Sequence, residues 1–125
     1  MNKTMYRIKV QGRFSSAHNL RGYKGKCEDL HGHNWRVEAV ARAEDLDGQG
    51  MVLDFKELKQ LLNEALAEFD HKYLNEVEPF KQVNPTSENL ARYVYEKMSG
   101  KRPGLDLEEV TVWETDTSSA TYTEH

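Results

Sequence analysis

The chain has 125 residues, enough for one domain and too few for two. Only 38% are hydrophobic and 30% are charged, and 17 basic against 21 acidic residues give a net charge of −4. No basic excess exists to drive phosphate-led binding of nucleic acid, no apolar run reaches the ~20 residues of a membrane span, and a lone Cys27 rules out an internal disulfide. The opening Met1-Asn2-Lys3-Thr4-Met5 has no apolar signal segment, so a cytoplasmic location is expected.

Tyr6, Ile8, Val10, Gly12 and Phe14 alternate with Arg7, Lys9, Gln11 and Arg13, a period of two that predicts a half-buried strand. A loop follows over Arg21-Gly22-Tyr23-Lys24-Gly25-Lys26. A second strand is expected from His33 to Ala43, with Val37, Ala39, Ala41 and Ala43 on one face and Arg36, Glu38 and Arg42 on the other. After the turn-rich stretch 45–50 the period changes. Phe55, Leu58, Leu61, Leu62, Ala65, Leu66 and Phe69 recur at three- and four-residue spacing, and Asp54 with Glu57 resembles a capping box, so an amphipathic helix starts after Asp54.

Asn84-Pro85-Thr86-Ser87 opens a second helix with Leu90, Ala91, Val94, Tyr95 and Met98 as its stripe and Gly100 as its stop. Two strands close the chain, Glu109 to Asp116 and Ala120 to Glu124, joined at Thr117-Ser118-Ser119. The order β-β-α-α-β-β predicts an α+β layer: a four-stranded antiparallel sheet with two helices on one face, forming a single domain over 1–125. The opposite sheet face carries aromatic and aliphatic residues, with no element left to cover it, and the strand edges are long. Both features predict a homo-oligomer.

His31 and His33 stand at i and i+2, so on a strand their rings share a face. A hairpin would set His18, at the end of the first strand, beside them. Three neutral imidazoles with an open fourth position are the pattern of a catalytic zinc site; nickel, iron and copper accept the same ligands, and a pair of surface histidines is the plainer alternative. Cys27, four residues before His31, is either a small buried hydrophobe or a thiolate favoured by the cations around it. His71 after Asp70 is either a favourable charge at a helix end or a polarised imidazole for proton transfer. Glu114 shares parity with Val110 and Val112. There a carboxylate needs a donor, either in a strand-end salt bridge or in the flat amidine edge of a ligand.

Phe14-Ser15-Ser16-Ala17-His18, Cys27-x-x-x-His31-Gly32-His33-Asn34, Asp70-His71-x-x-Leu74-Asn75, Pro85-Thr86-Ser87-Glu88-Asn89 and Glu114-Thr115 occur in this order. Together they resemble the 6-pyruvoyl-tetrahydropterin synthase family, including its 6-carboxy-tetrahydropterin synthase branch of queuosine and 7-deazapurine biosynthesis. The resemblance implies a tunnelling (T-fold) architecture in which trimers close a barrel and two trimers stack into a hexamer. It implies zinc (Zn2+) on His18, His31 and His33, catalysis by Cys27 with Asp70 and His71, and a pterin held by Glu114, Thr86 and Ser87. Lys24, Lys26 and Arg21 are candidates for the triphosphate by charge alone. The implied lyase reaction turns 7,8-dihydroneopterin triphosphate into 6-carboxy-tetrahydropterin, acetaldehyde and triphosphate. The pyruvoyl synthase reaction, which keeps the side-chain carbon–carbon bond, is the runner-up. A folate-pathway variant with Glu in place of Cys27 ranks third. A non-catalytic zinc-binding assembly module has no use for Cys27, Asp70, His71 and Glu114.

Overall fold

The computed structural model describes residues 4–23 and 28–124. Strands β1 (Tyr6–His18) and β2 (His31–Ala43) come first, followed by helix α1 (Phe55–Leu66), a short strand β3 (Lys72–Tyr73) and a 3-10 turn (Leu74–Glu76). Helix α2 (Ser87–Lys101) and strands β4 (Leu107–Thr115) and β5 (Ser118–Tyr122) complete the chain. The sheet order is β3-β1-β2-β4-β5. The expected four antiparallel strands and two helices are present. The addition is β3, whose two residues pair parallel to β1 at Ser16 and Ala17. Two residues are too few to show a period, so no alternation in sequence marks this strand.

The alternation in β1 does what its period predicts: Val10 and Phe14 are buried at 3% exposure. From β2, Val37, Ala39 and Ala41 join them, and Leu58, Leu62, Ala65 and Leu66 of α1 close over this face. Gly12 shows why a small residue sits in that stripe. A Cβ there would stand 2.8 Å from Leu66 Cδ1 and 3.0 Å from Asn63 Oδ1. Helix α2 contributes Leu90, Ala91, Val94, Tyr95 and Met98, all buried, and its Tyr95 hydroxyl donates to the Leu107 carbonyl at 3.0 Å.

Asp54 caps α1 as expected, but the capping box does not close, because Glu57 pairs with Arg102. The Asp54 carboxylate accepts from the Lys56 N–H at 2.9 Å, and the Thr86 hydroxyl accepts from the Asn89 N–H at 3.1 Å. Gly100, expected as the stop of α2, lies inside it; the chain turns later, at Gly104 with φ 88°. Phe55, expected in the apolar stripe, is 56% exposed, because it is the first residue of the helix and lies outside the packed turns. Helix α1 ends at Leu66, so Phe69 packs from the following turn. Among the described residues, no helix is long and apolar enough to cross a membrane.

The second sheet face is more polar than expected. Directly paired residues put Lys9, Gln11 and Arg13 beside Val40, Glu38 and Arg36. Lys9 Nζ lies 3.3 Å from Glu38 Oε2, the Trp113 indole donates to Glu38 at 2.8 Å, and the Arg36 guanidinium stacks over Trp113 at 4.6 Å. Among the described residues, β1 is paired on its outer edge only at Ser16 and Ala17.

Gly12→Val should lower unfolding free energy by about 1–3 kcal/mol through overpacking against α1. A denaturant midpoint equal to that of the parent chain would show that Leu66 and Asn63 yield freely.

Candidate metal centre and active site

Pairing in β1–β2 runs unbroken from Tyr6↔Ala43 to His18↔His31. The last rung therefore brings together histidines that are far apart in sequence, and His33 follows on the same side of β2. The rings form a mutually edge-on set, with centroids 4.6 Å (His18–His31), 4.8 Å (His31–His33) and 5.2 Å (His18–His33) apart. Trp35, fully buried, underlies them at 5.0 Å from His18 and 5.2 Å from His33. Phe14 stacks on its indole at 5.6 Å. Nothing in the sequence pattern beyond parity singles out Trp35 as the floor of the site.

The ring nitrogens are assigned by their partners. His18 Nδ1 is 2.8 Å from the Pro85 carbonyl in a buried contact, and His31 Nδ1 is 2.9 Å from the Asp29 carbonyl. A carbonyl only accepts, so each Nδ1 carries the proton and each Nε2 presents a lone pair. His18 Nε2 and His33 Nε2 are buried and make no hydrogen bond. Even so, Glu114 Oε1 lies 3.4 Å from the first and 2.8 Å from the second. The His18 Nε2 lone pair faces that carboxylate oxygen with no proton between them, an arrangement that a cation stabilises. One ligand atom each from His18, His31, His33 and Glu114 falls within 4.8 Å of all the others, a grouping that can hold a metal ion. Burial lowers the His33 pKa below its ordinary value. Glu114 opposes that shift, and His18 and His31 add to it. A neutral imidazole is the form that binds metal.

The dyad Asp70–His71 lies past α1 and is clipped onto β1. The Asp70 carboxylate accepts from the Ser15 N–H at 2.9 Å, and the His71 N–H donates to the Ser15 carbonyl at 2.6 Å. His71 has φ 57°, the left-handed region, and its Nδ1 stands 3.0 Å from Asp70 Oδ2. The Ser15 hydrogen bond holds the Asp70 carboxyl below the usual carboxylate range against the opposing effect of burial, and His71 adds to the lowering. His71 is thus carried off the helix end by a sharp turn, with its ring 82% exposed. A cavity of about 410 Å³ joins the two groups, lined by His33 and His71 with Ser15, Ser16, Gly32 and Asn34 among others.

Ser87 donates to Glu114 Oε2 across a long 3.5 Å, whereas the Thr86 hydroxyl is taken up in capping α2. Arg21, expected by charge to face a triphosphate, is engaged internally: its guanidinium donates to the carbonyls of Phe80, Asn75 and Val83 at 2.5, 3.2 and 3.4 Å. Cys27, Lys24 and Lys26 lie outside the described residues. Glu28, next to Cys27 in sequence, is tied through its carbonyl to the Asn19 amide at 3.1 Å and through its N–H to the Leu20 carbonyl at 2.9 Å.

Fold and site define a class: an antiparallel α+β layer carrying a three-histidine, one-carboxylate cluster able to hold a metal. Residues 7–125 match the family described as 6-pyruvoyl tetrahydropterin synthase. The chain belongs to this family, with its T-fold, and is one of its lyases.

An Archaeoglobus fulgidus protein, provisionally named 6-carboxy-5,6,7,8-tetrahydropterin synthase, is 40% identical over 110 residues, covering 87% of this chain and 88% of that one. A dihydroneopterin monophosphate aldolase of Pyrococcus furiosus is 33% identical over 109 residues, covering 86% and 89%. The structure of Caenorhabditis elegans 6-pyruvoyl tetrahydropterin synthase superposes with a TM-score of 0.85 at 30% identity, covering 100% of this chain and 99% of that one.

His31→Ala should purify without stoichiometric zinc while keeping its fold. Full zinc content by elemental analysis would remove His31 from the ligand set.

Proposed function

We propose that the chain is a zinc-dependent 6-carboxy-5,6,7,8-tetrahydropterin synthase, one T-fold domain over 1–125, acting in the cytoplasm in queuosine or 7-deazapurine biosynthesis. The observation that carries this reading is the cluster in which His18, His31, His33 and Glu114 each offer a ligand atom within 4.8 Å of the others, beside the Asp70–His71 dyad. The 40% identity to the Archaeoglobus protein supports the carboxy-forming branch.

The substrate would be 7,8-dihydroneopterin triphosphate, converted with water to 6-carboxy-tetrahydropterin, acetaldehyde and triphosphate. His18, His31 and His33 would hold the zinc, which supplies a Lewis acid toward the hydroxyls of the pterin side chain. The protein's own groups do the rest. Cys27 as thiolate removes a side-chain proton. His71, oriented by ionised Asp70 through Nδ1, presents its other nitrogen to return a proton. With zinc on the three histidines alone, Glu114 is left to accept two parallel hydrogen bonds, from the 2-amino group and the ring N3–H of the pterin. Ser87 already touches its Oε2, and Thr86 fixes the start of α2 alongside.

The open outer edge of β1, paired only at Ser16 and Ala17 among the described residues, supports assembly into a homohexamer of two stacked trimers. Light scattering should give a mass near six chains; a monomer at micromolar concentration would overturn the assembly.

The aldolase name of the Pyrococcus relative and the pyruvoyl name of the nematode structure favour second readings. Product identification separates them. Incubation with dihydroneopterin triphosphate should yield acetaldehyde and carboxypterin, and Cys27→Ala should keep zinc and lose turnover by at least about a hundredfold. Pyruvoylpterin as the product, or turnover of dihydroneopterin monophosphate alone, would replace the proposal.

A further inference from the structure

Outside the catalytic groups, the described residues hold a ring of hydrogen bonds that encloses His18. The imidazole donates from Nδ1 to the Pro85 carbonyl at 2.8 Å. Asn84, the residue before Pro85, is bonded in both directions to the backbone of Arg21, three residues after His18. The Arg21 N–H donates to Asn84 Oδ1 at 2.8 Å, and Asn84 Nδ2 donates to the Arg21 carbonyl at 3.0 Å. The ring therefore runs from His18 through Pro85 and Asn84 to Arg21 and back along the chain.

Two further sets of contacts brace the ring. The Arg21 guanidinium holds the carbonyls of Asn75, Phe80 and Val83, and the Asn84 carbonyl accepts from the Asn89 amide at 2.9 Å. Asn19 and Asn75 exchange a similar pair just ahead of it: the Asn19 N–H donates to Asn75 Oδ1 at 3.0 Å, and Asn75 Nδ2 donates to the Asn19 carbonyl at 2.8 Å. A side-chain amide that satisfies both groups of one backbone residue fixes two segments in register, as a rung does in a sheet.

We propose that Asn84, clamped on Arg21, is a positioning residue that sets the metal affinity of the three-histidine cluster by holding the Pro85 carbonyl against His18 Nδ1. The inference rests on the metal reading of that cluster. The physical reason is that the carbonyl keeps the proton on Nδ1 and aims the Nε2 lone pair at His31 and His33; a carbonyl free to drift releases both the tautomer and the ring angle. Asn84 itself touches neither substrate nor metal in this scheme.

Zinc affinity, measured by chelator competition on the full-length protein, and the His18 tautomer, read by nitrogen NMR in the metal-free protein, test the proposal. Asn84→Ala should weaken zinc binding about 10- to 100-fold and shift His18 away from the Nδ1–H form. Asn84→Asp keeps the acceptor for the Arg21 N–H and should fall between; it carries the test if the alanine variant does not fold. Parental zinc affinity in the folded variants would overturn the clamp, and so would a loss of affinity with His18 unchanged, which would be general loosening. A parent protein that takes up no zinc would instead overturn the metal reading on which the clamp rests.

Discussion

The structure depends on one register, the antiparallel pairing that sets Tyr6 opposite Ala43 and His18 opposite His31. The three histidines and the floor beneath them are offsets along that ladder. Phe14 meets Trp35 because they are cross-strand partners, and their stacked rings become the floor under the histidines. A slip of one residue would turn Val10 and Phe14 outward and move His18 away from the helices. Burial of the apolar face therefore enforces the chemistry at the end of the strand. The core is placed at one end of the hairpin and the imidazoles at the other, on the same side, so one set of hydrophobic contacts specifies both.

The second constraint is what fills the gaps that the hairpin leaves. The stretch 70–89 contains little regular structure before α2, yet it reaches the site twice. Asp70 and His71 clip to Ser15, and the Pro85 carbonyl accepts from His18 Nδ1. Buried or half-buried polar groups hold this stretch, among them Asn75, Arg21 and Asn84, each bonded to backbone. Such contacts are expensive to leave unmade, which gives an irregular segment a single conformation without a core of its own.

The outer sheet face shows a different solution to exposure. Lys9, Glu38, Arg36 and Trp113 form a cross-strand lattice of charge and stacking on a face expected to be more apolar. The core cluster lies on the helix-covered side of the sheet.

The sequence by itself determined the strands, the helix stripes and caps, and the three histidines, because each rests on a period or on a local hydrogen bond that neighbouring residues decide. Residue parity also put Glu114 on the inner face, and the motif order pointed to the family. The tertiary structure alone decided the rest. The two-residue β3, the late end of α2 and the exposure of Phe55 depend on what packs nearby. So do the engagement of Arg21 by three carbonyls, the role of Trp35 as floor and the placing of Glu114 Oε1 against His18 and His33. Charge in a sequence does not say what it will pair with. An arginine in a cationic loop reads as a phosphate ligand until the fold shows three carbonyls around its guanidinium, and an asparagine before a proline reads as a helix start until its side-chain amide is found bonded to the backbone of Arg21.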